Sequence, residues 1–564
     1  MKKTIILTSV VLALSACSFL DLTPTVISKE TFYKSEAEAR YGLAGVYGAM
    51  SHEAFYGNYY SQMISNTDDL SYFNRPVQAS TALQQYHFDA GNEYIRQAWT
   101  RIYRGIRNAN AFMEAIQPTE FDPDGSLYAE ARFLRAYYHF LLAETWGDIP
   151  LRDKEVRSHD GVMSAAVPQA EVLRWCAAEM EACVEKLSAE TAMLPSRVNR
   201  AVAEGILARV YLFMAGESVQ GMDKPACFKA VRDHAAAVIE SQNYRLNPDY
   251  SQVFINMIED AYDTEYRESM WEVEFLGDRS SASSWSNGRI GDVLGLQSTG
   301  STGYSTFQCN YAYGMYNGSL KLWDLYWRTD RTADETAQNI ITDARQNWNM
   351  APYNYAGSNS WAPYGVAGSG SSRASIDKTP YVYNSVTTTM DPTAAQAIRN
   401  CGKFRREVLY EGVKDSKRLY TTINYPLLRY SDVLLMYAEA ANECEGAPSD
   451  KAYDCVKQVR DRAGIKTLAK TDYDQASFRE LVRNERGREL CFESLRKYDL
   501  IRWGIFVEAM REYGQMAEDE RWSKNGTAAY VASIAAAVQP RHILLPIPLE
   551  EIGVNTLLVQ NPLW

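Results

Sequence analysis

The sequence has no excess of positive charge. Its 58 Lys and Arg residues are outnumbered by 70 Asp and Glu residues, which gives a formal net charge of −12. A surface that binds nucleic acid needs clustered cations to meet the phosphates. The composition therefore argues against a protein that binds DNA or RNA.

Motifs of known catalytic chemistry are also missing. The sequence contains no nucleophile elbow, metalloprotease helix, Walker loop or dinucleotide-binding fingerprint. Adjacent carboxylates such as Asp68-Asp69 and Glu550-Glu551 could serve a glycosidase only if the fold placed two carboxylates across a cleft. We therefore predict no enzymatic activity, with a secreted glycoside hydrolase as the alternative.

Metal-binding motifs are equally scarce. The six histidines are dispersed, and the cysteines show no spacing typical of a metal site. Residues 122–125, Asp-Pro-Asp-Gly, resemble a fragment of a calcium loop but lack the rest of the EF-hand pattern. We predict a turn there and no cofactor, since no motif supports a structural calcium ion.

Long apolar runs are absent except at the N-terminus. Lys2 and Lys3 precede an apolar run from Ile5 to Leu14, which is typical of a signal peptide and too short to span a membrane. The run ends in Leu-Ser-Ala before Cys17, which resembles a bacterial lipobox. That resemblance implies cleavage after residue 16 and acylation of Cys17, with residues 17–35 as a lipidated tether. The alternative is an ordinary signal peptide with an incidental cysteine.

Eight further cysteines follow Cys17, and none forms a C-x-x-C pair. Export would permit disulfides. However, Cys176 and Cys183 are seven residues apart on the apolar face of a predicted helix, and Cys491 lies beside Phe492. We therefore predict buried free thiols.

Helical periodicity dominates both ends of the chain. Similar patterns of small and aromatic residues recur at residues 135–140, 208–213 and 434–439, which favours tetratricopeptide-like helix pairs. We predict a mostly α fold, with helical regions at 36–269 and 423–564 that belong to one domain. The predicted helices are Glu36 to Met50 (with Tyr41, Ala44, Val46 and Tyr47 inward), Glu93 to Ile116, Leu127 to Trp146, Pro168 to Leu187, Asn199 to Ala215, Ala226 to Ser241 and Tyr453 to Ala463.

Residues 270–422 have a different character. The segment from Trp271 to Leu276 alternates like a strand, and Ser319 to Trp327 is predicted as a short helix. Fifteen Tyr and Trp residues but one Phe lie between residues 276 and 390. Disordered linkers are poor in aromatics, so we predict an ordered, loop-rich insertion. Tyr and Trp rings among polar side chains suit the binding of sugar rings, although packing beneath the loops would also explain many of them. Trp residues on helices are expected in the core, namely Trp99, Trp323, Trp327 and Trp503.

The segment from Ser477 to Gly504 is the most densely charged part of the chain. Ten of the twenty residues from Arg483 to Arg502 are charged. They form opposite-sign pairs three or four residues apart, namely Glu485 with Arg488, Glu493 with Arg496 and Lys497, and Asp499 with Arg502. Ser477 with Glu480 predicts a capping box and a helix start. The charges are interspersed with apolar residues, which favours a partly buried ionic network over a solvated face, although the pattern alone allows both.

The run from Glu485 to Trp503, E-R-x-x-E-L-x-F-E-x-x-R-x-x-D-L-I-R-W, resembles the signature of the SusD/RagB family of outer-membrane lipoproteins. Further stretches also resemble this family, with Ser431 and Leu563 as minor departures. These stretches are Arg135 to Leu151, Tyr425 to Asn442, Leu544 to Ile552 and Gln560 to Trp564.

This resemblance implies a surface-exposed lipoprotein that binds oligosaccharide and delivers it to a SusC-like TonB-dependent outer-membrane transporter. Peptide capture, as in the RagB branch, is the alternative. The family places its ligand where an N-terminal loop meets the irregular middle, which here corresponds to Asn66 to Pro76 and about Arg279 to Tyr364. The expected ligand-binding residues are Tyr72, Trp285, Tyr304, Tyr313 and Trp361 as stacking platforms and Asp69 and Arg75 as hydrogen-bonding groups.

Overall fold

The structure is a computed structural model, and helices form most of it. The described residues are 32–75, 82–116, 120–157, 163–189, 194–277, 286–297, 312–327, 340–341, 343–351, 353–356, 360–363, 381–382, 399–406, 420–519 and 528–564.

Within the described part of the chain, seven helices precede residue 270. Six of them agree closely with the predicted helices, and the seventh, Tyr250–Ile258, was not predicted. Their bounds are Glu36–Tyr47, Glu93–Ile116, Ser126–Trp146, Gln169–Val184, Arg200–Met214, Lys224–Glu240 and Tyr250–Ile258. Two irregular helical turns lie between the first two, at Glu53–Gly57 and Tyr59–Ile64. The later helices are Ile290–Val293, Leu320–Tyr326, Arg345–Asn349, Tyr430–Glu445, Asp450–Arg462, Gln475–Leu490, Arg496–Arg502, Phe506–Gln515, Ala528–Ala537 and Leu549–Val554.

Consecutive helices pack against each other from Glu93–Ile116 through Lys224–Glu240. The stack then continues with Tyr430–Glu445, which packs on Lys224–Glu240. Close packing uses small residues beneath aromatic rings. A Cβ on Gly105 would lie only 2.7 Å from the Tyr138 ring. These helix pairs confirm the tetratricopeptide-like scaffold predicted from the sequence.

The strands are short and pair two by two. β2 (Ser269–Val273) pairs antiparallel with β8 (Tyr425–Arg429), which brings the two ends of the predicted insertion together. Within the insertion, β4 (Ile340–Ile341) pairs with β7 (Tyr381–Val382), and β5 (Tyr353–Ala356) pairs with β6 (Ser360–Pro363). The strand predicted at Trp271 is thus confirmed.

The helix Glu36–Tyr47 packs against the core with a different face from the predicted one. Tyr41 is 70% exposed, and the buried residues are Ala39, Leu43 and Val46. A helix buries positions three or four apart, so the helix faces the core with these three residues. Tyr41 was therefore wrongly placed inward, and Ala44 is also exposed.

The helix Gln475–Leu490 has its N-cap three residues before the predicted one, and its capping box joins Asp474 with Ser477, not Ser477 with Glu480. Its N-cap is Asp474, whose side chain accepts a hydrogen bond from the Ser477 backbone N–H at 2.8 Å, and Ser477 Oγ accepts one from the Asp474 backbone N–H at 2.9 Å. The helix ends at Leu490, because Phe492 and Ser494 adopt left-handed backbone angles (φ 65° and 63°) before the next helix. Such angles are unusual for non-glycine residues and require support from the surroundings.

The expected core residues are largely where the sequence places them. Trp99, Trp323 and Trp503 are buried and Trp327 is half-buried.

Asp122 lies in a turn, and its carboxylate accepts hydrogen bonds from the first turn of helix Ser126–Trp146. Among the cysteines that the structure covers, all are free thiols and six are buried. No helix within the described ranges is long and apolar enough to cross a bilayer.

The charged residues between 485 and 502 form a buried ionic network. Nine of them are at most 9% exposed, and they are Glu485, Arg486, Arg488, Glu489, Glu493, Arg496, Lys497, Asp499 and Arg502. The predicted burial of this segment is confirmed.

Most of the ion pairs in this network join distant parts of the chain. Local pairs link Glu485 to Arg488 and Asp499 to Arg502, as predicted. Glu493 instead pairs with Lys403 and Arg429, not with the predicted Arg496 and Lys497. The helix break before residue 496 redirects these side chains, so the network connects elements that are far apart in sequence.

Candidate functional site

The two stretches predicted to form the ligand site meet in the structure. β1 (Ser71–Phe73) pairs antiparallel with β3 (Tyr316–Gly318). Beyond the strands, the Asn74 backbone N–H donates to Met315 O at 2.9 Å, and Asn74 Nδ2 donates to Gly314 O at 2.8 Å. The N-terminal loop is thereby held against the insertion from Ser71 to Asn74.

Arg75 and Tyr313 lie at the outer end of this strand pair. Arg75 Nη2 donates to the Tyr313 backbone carbonyl at 2.6 Å, and Arg75 Nη1 donates to Asn74 Oδ1 at 2.8 Å. The Tyr313 backbone N–H donates to Asp292 Oδ1 at 3.2 Å. Both Arg75 and Tyr313 are half-buried. The half-buried Arg75 guanidinium and the half-buried Tyr313 are thus joined through the Tyr313 main chain at one end of the strand pair.

Asp69 and Tyr72 lie in the interior, not at the surface. Asp69 is fully buried, and its carboxylate binds Arg496 and Lys321. Tyr72 is 1% exposed, and its hydroxyl accepts a hydrogen bond from Asn317 Nδ2 at 2.8 Å. Neither side chain is available for the surface contact expected from the sequence, because each is already enclosed by protein.

Trp361 lies on β6, where it is opposite Tyr355 of β5. Trp285 and Tyr304 lie outside the described residues, and so does Cys17. The ligand-binding role of Arg75, Tyr313, Trp361, Trp285 and Tyr304 stays a prediction.

Asp68 shapes the loop from within. Its Oδ1 accepts hydrogen bonds from the backbone N–H groups of Leu70 at 2.8 Å and Ser71 at 3.1 Å, which is the geometry of an Asx turn. Burial, and then the charge of neighbouring Asp69, raises the pKa of Asp68 to about 7. Burial also lowers the pKa of nearby Lys497 to about 7, and this side chain donates to Ile64 O at 3.0 Å.

A cavity of about 10 Å³ lies beneath the loop, and Asp68 is part of its lining. Asn66 Oδ1 and Gln84 Oε1 line the same cavity and have no hydrogen-bond partner among the described residues.

Sequence reasoning missed several residues that build this region. Lys321 and Asn317 contact the loop from the insertion, and Arg496 contacts it from the charged segment. A lysine or asparagine inside a loop-rich segment carries no periodic signal. Only the excess of charge around Arg496 indicated that partners were needed.

Two family models match parts of this chain. The model described as "SusD family" matches residues 267–564, which is more than half of the chain. The chain belongs to the SusD family. A second model, described as "Starch-binding associating with outer membrane", matches residues 18–212.

Individual relatives of this SusD-family chain are distant but span nearly its full length. A SusD-like protein of Formosa agariphila is 23% identical to this chain over an alignment of 563 positions. The alignment covers 96% of this chain and 94% of that protein. A crystal structure of a SusD homologue from Bacteroides thetaiotaomicron is 24% identical, with a TM-score of 0.79 over 96% of this chain and 99% of the other. A laminarin-binding SusD-like protein is 17% identical, with a TM-score of 0.65 over 94% and 100%.

Membership of the family indicates carbohydrate binding and association with the outer membrane, and it supports a binding protein rather than an enzyme. Within the described ranges, no group of three His, Cys, Asp or Glu side chains is placed to hold a metal ion.

We predict that replacing Asp68 by Asn makes the protein more stable at neutral and higher pH. The wild-type carboxyl has a folded-state pKa of about 7 against 3.8 for the free group. The native state therefore holds more protons than the unfolded state between these values, and stability falls as pH rises through this window. Ionisation of Asp68 across this pH window lowers the free energy of unfolding by at most about 4 kcal/mol. The asparagine side chain cannot ionise, and it keeps the acceptor for Leu70 and Ser71.

The measurement is the free energy of unfolding of both proteins from pH 4 to pH 8. We expect the advantage of Asp68→Asn to grow across this range. Asp450→Asn is the control, because that side chain is 86% exposed. Parallel pH profiles for wild type and Asp68→Asn would show that the Asp68 carboxyl does not titrate in this window.

Proposed function

We propose that this protein is a surface-exposed, lipid-anchored glycan-binding protein that captures oligosaccharide and delivers it to a SusC-like TonB-dependent transporter. Membership of the SusD family carries the proposal. Solved structures with the same fold include a laminarin-binding SusD-like protein and a surface glycan-binding protein A from Bacteroides fluxus. These two proteins are only 17% and 19% identical to this chain, so their similarity supports the fold alone. The proposed ligand class therefore rests on membership of the family.

The proposed ligand surface is centred on the outer end of the β1–β3 pair. Along the loop, residues 69–73 are buried whereas Asn74 and Arg75 are half-exposed. Arg75 would donate hydrogen bonds to sugar hydroxyls, and Tyr313 would stack on an apolar ring face. We place Trp285, Tyr304 and Trp361 of the insertion in the same role. Loops held by a rigid scaffold are where binding residues concentrate.

Lipid attachment at Cys17 is the proposed means of retention at the membrane. Several acyl chains on one cysteine anchor a protein stably, whereas a single chain does so only weakly. We expect Cys17→Ala to remain unacylated and to be lost from the outer-membrane fraction or stalled at precursor length. Normal fractionation and normal surface labelling of Cys17→Ala would contradict the anchor.

Glycan binding is tested by titrating the purified protein without its first 17 residues against a panel of oligosaccharides and against a peptide digest. We expect binding to at least one glycan. In the double variant Trp285→Ala with Trp361→Ala, binding should be nearly lost, since each stacking platform contributes about 1–3 kcal/mol by analogy with base stacking. The melting temperature should not change.

Tyr41→Ala is the matched control for this experiment, because Tyr41 is an exposed aromatic residue on the first helix. It should bind as the parent does. A folded double variant with the affinity of the parent would place the site elsewhere. Binding of peptide in place of every glycan would replace the proposed ligand class with the peptide-capture alternative.

A further inference from the structure

We infer that Asp69 is a positioning residue. It fixes the ligand-binding loop (Asn66 to Arg75) to the charged segment (Ser477 to Gly504) and to the insertion, and it thereby sets the affinity for ligand. This inference rests on the proposed function. It changes the role of Asp69, which the sequence suggested as a direct contact to ligand hydroxyls.

Asp69 is held by two cations from different parts of the chain. Arg496 binds it with both donors of one guanidinium edge, Nε to Oδ1 at 2.8 Å and Nη2 to Oδ2 at 3.0 Å. Lys321 Nζ contacts Oδ2 at 2.7 Å. A bidentate arginine pair fixes orientation as well as distance. The carboxylate therefore has a defined position relative to both partners.

The backbone around Asp69 is fixed by the same part of the insertion. Ser319 Oγ donates to Asp69 O at 2.8 Å, and the Ser319 backbone N–H donates to Leu70 O at 2.9 Å. Ser319 is the N-cap of the helix that carries Lys321. Side-chain and main-chain contacts thus hold this point of the loop to one short helix.

The position of Asp69 is transmitted to the surface through a short, paired segment. Ser71, Tyr72 and Phe73 follow it and are in register with β3. Asn74 and then Arg75 come after them, and Arg75 donates to Tyr313 O. These residues form one short, continuously paired segment, so we expect a displacement at Asp69 to be carried along it. The expected result is a change in the position of Arg75 relative to Tyr313.

The Asp69 carboxylate is ionised at neutral pH. Burial alone would raise the pKa of Asp69, but Arg496 and Lys321 outweigh burial and hold it at about 2. Neutralising Asp69 leaves Arg496 buried without this partner. Lys321 is 26% exposed and can turn toward solvent. Removing one member of a buried pair is strongly destabilising because the remaining charge is uncompensated.

Glu439 provides a matched control within the same network. It is buried and binds Arg502, with Oε2 at 2.8 Å from Nη2. Burial opposes ionisation there too, and Arg502 outweighs it to hold the pKa of Glu439 at about 2. Glu439 lies on helix Tyr430–Glu445, outside the loop. Neutralising Glu439 removes a comparable buried ion pair without touching the ligand-binding loop.

The experiment compares Asp69→Asn with Glu439→Gln by melting temperature and by glycan affinity. We expect both variants to melt below the parent. Only Asp69→Asn should bind glycan more weakly, by about tenfold or more, as for a lost hydrogen bond to a charged group. Arg496→Gln should reproduce that loss, and the double variant with Asp69→Asn should lose less affinity than the two single losses combined.

Lys321→Gln keeps the inference testable if Asp69→Asn does not fold, because it leaves the Arg496 pair intact. It should weaken glycan binding in the same direction with little change in melting temperature. Equal affinities of Asp69→Asn and Glu439→Gln, or an unchanged affinity of a folded Lys321→Gln, would overturn the positioning role. A wild-type protein that binds no glycan would instead overturn the proposed function, and the inference with it.

Discussion

The carboxylate of Glu489 is the point on which the rest of the structure depends. It is fully buried and contacts Arg345 at 3.0 Å, Arg429 at 2.9 Å and Arg462 at 2.7 Å. Burial alone would raise the pKa of Glu489, but these three cations hold it well below its ordinary value. They come from the insertion, from β8 and from a helix of the C-terminal part. One ionised group thus makes three distant segments mutually dependent.

The same network reaches the N-terminal helices and the loop from Asn66 to Arg75, which is the proposed ligand-binding loop. Arg496 binds Asp69 in the loop, and Asp432 joins Arg486 of the charged helix to Arg209 of the N-terminal stack. Desolvation offsets much of the attraction in such buried pairs, so their main consequence is to penalise any arrangement that leaves a charge unpaired. The scaffold therefore determines where the loop lies.

Much of the fold could be predicted from the sequence, because helical periodicity is a local property. The helix Glu93–Ile116 agrees with the prediction at both ends. Partners across space could not be predicted in this way. Asp69 was expected to contact ligand because the family resemblance placed the ligand site at this loop, and only the fold brings Arg496 to it. The break at Phe492 and Ser494 was missed for a similar reason. Left-handed backbone angles depend on contacts such as that of Ser494 Oγ with Tyr425 OH.

The most direct test of this account is the free energy of unfolding of Glu489→Ala, measured beside Glu480→Ala on the same helix. Glu480 is exposed, so its removal should cost no more than about 0.5 kcal/mol. Glu489→Ala should lower the free energy of unfolding by about 3–5 kcal/mol, because three buried cations lose their shared partner. A loss for Glu489→Ala no larger than that for Glu480→Ala would contradict the central place of the buried network.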